Sequence, residues 1–239
     1  QPLWRRLEGL VDAAGPEWNT PDHGIWEVRT SGRPFTYSAA LCQVALDRGA
    51  RLAGRLDLGH DLQVGRWRDT AARIQQAILE DAWDPDRRTL TEHLGGGGLD
   101  ASLLALPLRR VIHARHPRMV ATAAAVAERL GAGGGLLYRY LPQDSPDGLP
   151  GHEGAFLLCS FWLVDNLAKQ GRLHEAVALF DSLCGRAGPL GLLPEQIDPS
   201  TGAFLGNYPQ AFSHVGLISS GVNLARASQE AARRTTDGR

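Results

Sequence analysis

The segment EGAFLLCSFWLVDNLAKQ, residues 153–170, sets the predicted fold. It is apolar around most of its circumference, whereas a helix at a protein surface carries its apolar side chains along one stripe. Its longest apolar run, residues 154–164, is too short to cross a bilayer, which takes about 20 apolar residues. We therefore predict a helix over residues 153–170 that other helices surround, ending at Gly171.

The other helices are predicted from apolar residues that recur at spacings of three and four. They cover residues 3–14, 35–54, 63–82, 101–115, 117–130, 172–186 and 210–231. Breaks are predicted at Gly15-Pro16 and Gly59-His60, and Pro117 suits a first helical turn. Asp100 is a good N-cap for residues 101–115, with a kink at Pro107. The pattern indicates a layered all-helical domain of about eight helices with little strand.

Composition excludes several classes of function. The 25 basic and 26 acidic residues nearly cancel, so we expect no nucleic-acid partner and no anionic membrane partner. The three cysteines, Cys42, Cys159 and Cys184, are odd in number and widely spaced, which argues against a disulfide framework and fits a cytoplasmic location. Each lies within a helix-like apolar pattern, which predicts buried thiols. No metal-ligand spacing and no phosphate-binding motif occurs, so we expect no metal and no cofactor.

A long loop separates the last two predicted helices: LGLLPEQIDPSTGAFLGNYPQAFSH, residues 190–214. Its three prolines forbid one continuous helix, and the segment 198–202, Asp-Pro-Ser-Thr-Gly, is strong turn chemistry. Its apolar and aromatic residues argue against disorder. A long ordered loop of this kind is usually functional, which makes its acid, Glu195, a candidate site residue.

A second acid lies in a similar setting in DHGIWEVR, residues 22–29, where Glu27 follows Trp26. Cleavage of a glycosidic bond needs two carboxyl groups, one to protonate the leaving oxygen and one to activate water or attack carbon. Glu27 and Glu195 are therefore candidates for this pair, although a single glutamate is most often a solvated surface residue.

Seven segments together resemble glycoside hydrolase family 15, which contains glucoamylases, glucodextranases and bacterial trehalases. They occur in the family's order and are GIWEVR (24–29), YSAALCQVALDRGARLA (37–53), LDASLLALPL (99–108), YRYLPQD (138–144), GLPGHEGAFLLCSFWLV (148–164), GLLPEQIDP (191–199) and GNYPQAFSHVGL (206–217). The resemblance implies an all-α (α/α)6 toroid of twelve helices. It further implies that residues 1–239 form one partial catalytic domain, an incomplete toroid with about eight of those helices.

The resemblance also implies roles for individual residues. Glu27 matches the general acid of an inverting hydrolase and Glu195 matches the general base, so we expect both to face one cleft. Arg139 matches a sugar-binding arginine. Two aromatic residues, Trp26 and Phe156, either stack on a sugar ring or pack in the core. Glu153 either caps a helix or contributes to the substrate site.

The function implied is exo-acting release of glucose from the non-reducing end of an α-glucan, or hydrolysis of trehalose. The alternative is a catalytically impaired carbohydrate-binding or regulatory module, because Ala39 and Gln43 stand where the family often has lysine and tryptophan. A helical-repeat scaffold is a third hypothesis, although no clean repeat is found. Because an incomplete toroid leaves helix faces uncovered, we expect this chain by itself to be inactive and to self-associate.

Overall fold

The computed structural model describes residues 2–58, 61–148 and 153–237. The chain divides into two compact units. The first unit comprises Gln1–His113 with Pro142–Leu149, and the second comprises Ala114–Leu141 with Pro150–Arg239. The break predicted at Gly59-His60 lies outside the described residues.

The first unit is built on three helices: α1 (Pro2–Glu17), α2 (Thr36–Leu56) and α3 (Asp61–Glu80). These confirm the three helices predicted for this region. Helix α2 packs against both α1 and α3. A side chain at Gly49 would come within 2.7 Å of Val11, so glycine allows the close approach of α1 and α2. Gly15-Pro16 does not stop α1, which runs one residue beyond the proline.

A short hairpin follows α3, with strands β1 (Trp83–Asp84) and β2 (Thr89–Leu90) paired antiparallel. The Asp84 carboxylate accepts hydrogen bonds from the backbone N–H groups of Asp86 and Arg87, each at 2.9 Å. These contacts close the turn of the hairpin, because an aspartate side chain commonly closes such a turn on its own backbone.

The helix predicted over residues 101–115 is wrong. Asp100 does cap a helix, since its side chain accepts from the Ser102 N–H, but the helix is a 3-10 helix that covers only Ala101–Ala105. Pro107 lacks an N–H donor, so it cannot continue a helical ladder. Arg110 then adopts a positive φ of 65°, which a helix does not contain. The predicted kink is therefore the end of the helix.

The second unit contains α4 (Pro117–Arg129), α5 (Leu157–Gln170), α6 (Leu173–Cys184) and α7 (Ala211–Asp237). Helix α5 packs against the other three. Leu157 and all residues from 159 to 168 are buried, which confirms the surrounded helix predicted from its apolar character. Gly171 ends α5 with φ 88°, as expected for a left-handed C-cap.

The predicted start of α5 at residue 153 is wrong, because Ala155–Phe156 form a strand, β3. Strand β3 pairs antiparallel with β4 (Gln196–Ile197), which pairs in turn with β5 (Phe204–Leu205). The registers are Phe156↔Gln196 and Ile197↔Phe204. Partners about 40 residues away along the chain hold the extended backbone here, and a local helical pattern carries no signal for such partners.

The described part of the chain therefore contains seven α-helices, one 3-10 helix and five two-residue strands. This confirms the all-α class, with one fewer α-helix than the eight that the sequence suggests. All three cysteines are free thiols. Only Cys159 is buried, while Cys42 and Cys184 are partly exposed, so the prediction of buried thiols is wrong for these two.

Candidate active site

Residues 22–33 of the first unit form a closed loop, called here the Glu27 loop. Backbone hydrogen bonds of 2.9 and 2.8 Å between Asp22 and Arg33 join its two ends. Within it, the Asp22 carboxylate accepts from the Gly24 N–H at 3.0 Å. The His23 ring donates to the Val28 carbonyl at 2.8 Å. The loop thus has a fixed internal structure, although it belongs to no helix or strand.

Glu27 adopts a left-handed backbone conformation at the tip of this loop, with φ 53°. Few residues other than glycine adopt positive φ, and such strained positions cluster at functional sites. The Glu27 side chain is exposed. Its carboxylate makes no hydrogen bond or ion pair with residues in the described part of the chain. The carboxylate is therefore accessible to a bound molecule.

Trp26, the residue before Glu27, is anchored by its indole ring. The Nε1–H group donates to both oxygens of Asp100, at 2.9 and 3.0 Å. Asp100 also accepts from the Ser102 N–H at 2.6 Å, and it is 2% exposed. Burial raises the pKa of Asp100 to about 6, against the opposing effect of these hydrogen bonds.

The base of the Glu27 loop has a second anchor. Arg33 donates from Nη1 to the His93 ring nitrogen Nε2 at 3.1 Å. His93 must then carry its proton on Nδ1, because an arginine cannot accept. Burial lowers the pKa of His93, despite an opposing effect from the Glu92 carboxylate. A neutral His93 therefore fits its role as an acceptor for Arg33.

In the second unit, Glu195 directly precedes strand β4. Asn207 holds it, since the Asn207 backbone N–H and side-chain Nδ2 donate to Glu195 Oε2 at 2.9 and 3.1 Å. In the other direction, the Glu195 N–H donates to the Asn207 carbonyl at 2.9 Å. A side chain at Gly206 would come within 2.5 Å of Oε2, so the close fit around this carboxylate requires glycine.

The backbone on both sides of Glu195 is also fixed. The buried Ser213 hydroxyl donates to the Pro194 carbonyl at 2.7 Å. His214 donates from Nδ1 to the Gln210 carbonyl at 2.7 Å and accepts from the Leu193 N–H at 3.3 Å. Both residues lie in the first turn of α7. His214 is thus a structural residue.

Arg139 and Glu153 form a two-point ion pair in the same unit. Arg139 Nε donates to Glu153 Oε2 at 3.1 Å, and its Nη2 contacts Oε1. The guanidinium also lies over two aromatic rings, 5.2 Å from the centre of Tyr140 and 5.4 Å from that of Phe156. Arginine favours such stacked and paired contacts, so its plane has a defined orientation.

The sheet of β3, β4 and β5 connects this ion pair to the segment that contains Glu195. Glu153 precedes strand β3, and the next residue, Gly154, donates its N–H to the Gln196 side chain at 2.8 Å. Phe156 is 4% exposed, and its ring faces the guanidinium. In this arrangement Phe156 supports Arg139, so its predicted direct contact with a sugar stays a prediction.

The structure brings together Arg139, Glu153, Phe156 and Glu195 in the second unit, while Trp26 and Glu27 belong to the first. The sequence identified Asp100 only as a helix cap, and it did not identify Asn207 or Gly206 at all. Both loops that contain these three residues lie within the segments that carry the family resemblance, at 99–108 and 206–217. Their position in these two segments was therefore the feature of the sequence that could have identified them.

No cluster of three or more histidine, cysteine or acidic side chains suited to a metal ion occurs among the described residues. Within the same residues, no helix combines the length and apolar character that a bilayer crossing requires.

The sequence profile of Glycosyl hydrolases family 15 matches residues 2–222. The chain belongs to this family. It is 43% identical over 229 residues to a trehalase of Mycolicibacterium smegmatis, an alignment that covers 96% of this chain and 34% of that trehalase. The chain thus spans about a third of the length of the curated relative that it matches.

Solved structures show the same fold. A structure described as a wild-type glycosidase is similar with a TM-score of 0.74 at 23% identity, covering 90% of this chain and 58% of the other. The glucoamylase of Saccharomycopsis fibuligera is similar with a TM-score of 0.70 at 15% identity, covering 91% and 60%. The family 15 fold, the (α/α)6 toroid predicted from the sequence, is therefore assigned to this chain. How complete the toroid is stays a prediction.

Proposed function

We propose that this chain forms part of the catalytic domain of an inverting α-glucoside hydrolase whose substrate is trehalose. The observation that carries the mechanism is the asymmetry of the Glu195 carboxylate. Oε2 accepts two hydrogen bonds from Asn207, while Oε1 has no hydrogen-bond partner in the described part of the chain. One oxygen is anchored, and the other is left for a water molecule.

Glu195 is the general base in this proposal. Its Oε1 takes a proton from water as the water oxygen attacks the anomeric carbon of the sugar. The two donors from Asn207 keep the carboxylate in one orientation, so the water is directed along a single line of approach. Gly206 makes room for this arrangement because it has no side chain.

Glu27 is the general acid. It donates its proton to the glycosidic oxygen while the bond from that oxygen to the anomeric carbon breaks. The exposed carboxylate lacks a protein partner among the described residues, which fits a group that gives and regains a proton in each cycle. In this proposal Arg139, which Glu153 and Phe156 orient, donates to sugar hydroxyl groups.

The choice of trehalose over other α-glucosides rests on sequence similarity. The 43% identity to the M. smegmatis trehalase extends over 96% of this chain, so it includes both acid loops. Inversion of trehalose, in which both anomeric carbons are α, releases one β-glucose from the attacked ring and one α-glucose as the leaving group. A location in the cytoplasm stays a prediction.

The test is hydrolysis by the full-length protein of trehalose, maltose, isomaltose and starch, with the anomers followed by proton NMR. We expect trehalose to be the best substrate and α- and β-glucose to form initially in equal amounts. Glu27→Gln and Glu195→Gln should each lower kcat by about a hundredfold or more.

The matched control is Glu128→Gln, at an exposed acid on α4, which should keep wild-type kcat. Two α-glucose molecules per trehalose would contradict inversion. Sugar binding without turnover by the wild type would contradict the enzyme proposal and favour an impaired binding module. A Glu195→Gln variant within a few-fold of wild type would reject its role as the base.

A further inference from the structure

We propose that Asp100 is a positioning residue for the reaction: it holds the Trp26 indole and thereby fixes the backbone of Glu27, the next residue. This inference rests on the proposed role of Glu27 as the general acid. It gives a function to residues 99–108, one of the seven segments that carry the family resemblance. The proposed roles of Glu27 and Glu195 do not involve this segment.

The contact between Asp100 and Trp26 is more than a helix cap requires. Capping of the 3-10 helix uses one carboxylate oxygen, Oδ1, which accepts from the Ser102 N–H. The second oxygen, Oδ2, accepts from the Trp26 indole at 2.9 Å. Serine, threonine or asparagine would cap equally well without placing a carboxyl group in the interior. The additional oxygen therefore serves Trp26.

The burial of Asp100 makes this contact strong. The carboxyl group is 2% exposed, so its bonds to Trp26 and Ser102 face little competition from water. Glu92, another buried acid, directs its carboxylate to the Gly98 N–H at 3.1 Å. Among the described residues, neither acid contacts a lysine or an arginine, so backbone and indole N–H donors provide the compensation that a buried carboxyl group needs.

The structure of the Glu27 loop explains how the contact between Asp100 and Trp26 restrains Glu27. Its ends are joined at Asp22 and Arg33, so the loop cannot move at its base without breaking those backbone bonds. At its tip, Glu27 keeps φ 53°, a conformation that costs free energy and persists only where surrounding contacts impose it. The Trp26 indole is the neighbouring side chain that supplies such a contact. Without Asp100, the tip should relax and the carboxyl group should leave its reactive position.

The test is a double-mutant cycle on the full-length protein with Asp100→Asn and Trp26→Phe, assayed on its best α-glucoside. Asparagine keeps a capping oxygen but turns an N–H₂ group toward the indole N–H, and phenylalanine keeps an aromatic ring but has no donor. Asp100→Asn should lower kcat by about ten- to a hundredfold with KM within about twofold, the scale of a small misplacement of a reacting group.

In the Trp26→Phe background, the same Asp100→Asn change should lower kcat by no more than about twofold, because its effect passes through the indole N–H. Equal losses in both backgrounds would overturn the inference, and so would wild-type kcat in a folded Asp100→Asn variant. Either result would leave the Glu27→Gln and Glu195→Gln outcomes unaffected.

The matched control is Asp165→Asn, at a buried acid 1% exposed that also accepts two side-chain hydrogen bonds, from Ser220 and Asn223. It should lower the melting temperature while keeping kcat. An NMR measurement is independent of activity: Asp100→Asn should shift both the Trp26 indole N–H and the Glu27 backbone N–H resonances, and Asp165→Asn neither. A Glu27 resonance that does not move in Asp100→Asn would overturn the inference even if the protein proved inactive on every sugar.

Discussion

At the scale of single residues, the two acids proposed for catalysis are held in opposite ways. Glu27 has a constrained backbone, with φ 53°, and an unpaired carboxylate among the described residues. Glu195 has one carboxylate oxygen fixed by Asn207. A proton donor must regain its proton from solvent in each cycle, whereas a base must direct a water molecule. The two environments match these different tasks.

Asp100 gives a prediction for stability against pH. Burial raises its pKa to about 6, above the value of about 3.9 for an aspartate in an unfolded chain. The folded protein therefore binds this proton more tightly. Its contribution to stability is fully present below about pH 4 and is lost as the pH rises through about 6.

We expect the free energy of unfolding of the wild type, relative to Asp100→Asn, to fall by about 3 kcal/mol between about pH 3.5 and pH 7, since one pKa unit is about 1.4 kcal/mol. Urea unfolding at a series of pH values measures it, and comparison with the variant cancels the titration of other groups. A constant difference across this range would show that the pKa of Asp100 is not raised.

At the scale of elements, the hairpin of β4 and β5 positions Glu195, which directly precedes β4. Its turn is closed by the Asp198 carboxylate, which accepts from the Ser200 N–H at 2.8 Å and from the Ser200 and Thr201 hydroxyl groups. These hydrogen bonds lower the pKa of Asp198 to about 2. The hairpin returns the chain so that Asn207 lies beside Glu195.

Asn207→Ala should lower kcat by about three- to tenfold, because the side-chain donor to Glu195 Oε2 is lost while the backbone donor remains. Steady-state kinetics on the best substrate measures the effect. Thr201→Ala is the matched control: it removes two hydrogen bonds at the far turn of the same hairpin, to the Asp198 carboxylate and from the Ala203 N–H, and should leave kcat unchanged. If both variants lose activity equally, Asn207 acts only by stabilising the hairpin.

At the scale of the whole molecule, part of α7 is uncovered. Phe212, Val215 and Ile218 are about 60% exposed and recur at a spacing of three along the helix, and Val222 continues the stripe. Large exposed apolar stripes on a protein normally mark a contact surface. The chain spans 58% of the similar glycosidase chain, so we propose that contacts beyond these 239 residues are needed for activity.

The isolated 239-residue chain should therefore associate with itself through this stripe and hydrolyse trehalose slowly or not at all. Light scattering over a range of concentrations should show a mass above 25.8 kDa, and Ile218→Lys should shift it toward the monomer. Arg226→Lys, a conservative change further along α7, is the control. A monomeric wild-type chain with the specific activity of the full-length protein would contradict this proposal.

Most of the helices could be predicted from local sequence patterns alone. The spacing of apolar residues predicted α2, α3, α4 and α6 to within a few residues, and the apolar character of residues 157–168 predicted the most buried helix. Helical side-chain spacing is a property of the chain itself, so it can be read without knowledge of distant contacts. The motifs around Glu27 and Glu195 likewise identified the family, which the sequence profile confirmed.

Other features depend on partners that are distant in the sequence and could be seen only in the folded chain. Residues 101–115 have a helical pattern, but the chain turns away after Ala105, and Ala155–Phe156 leave the helical pattern to pair with β4. Asp100 lies 74 residues from Trp26, and Asn207 lies 12 residues from Glu195. Which donor faces a carboxylate is set by how segments pack, because a hydrogen bond depends on distance and angle between atoms that the order of residues does not specify.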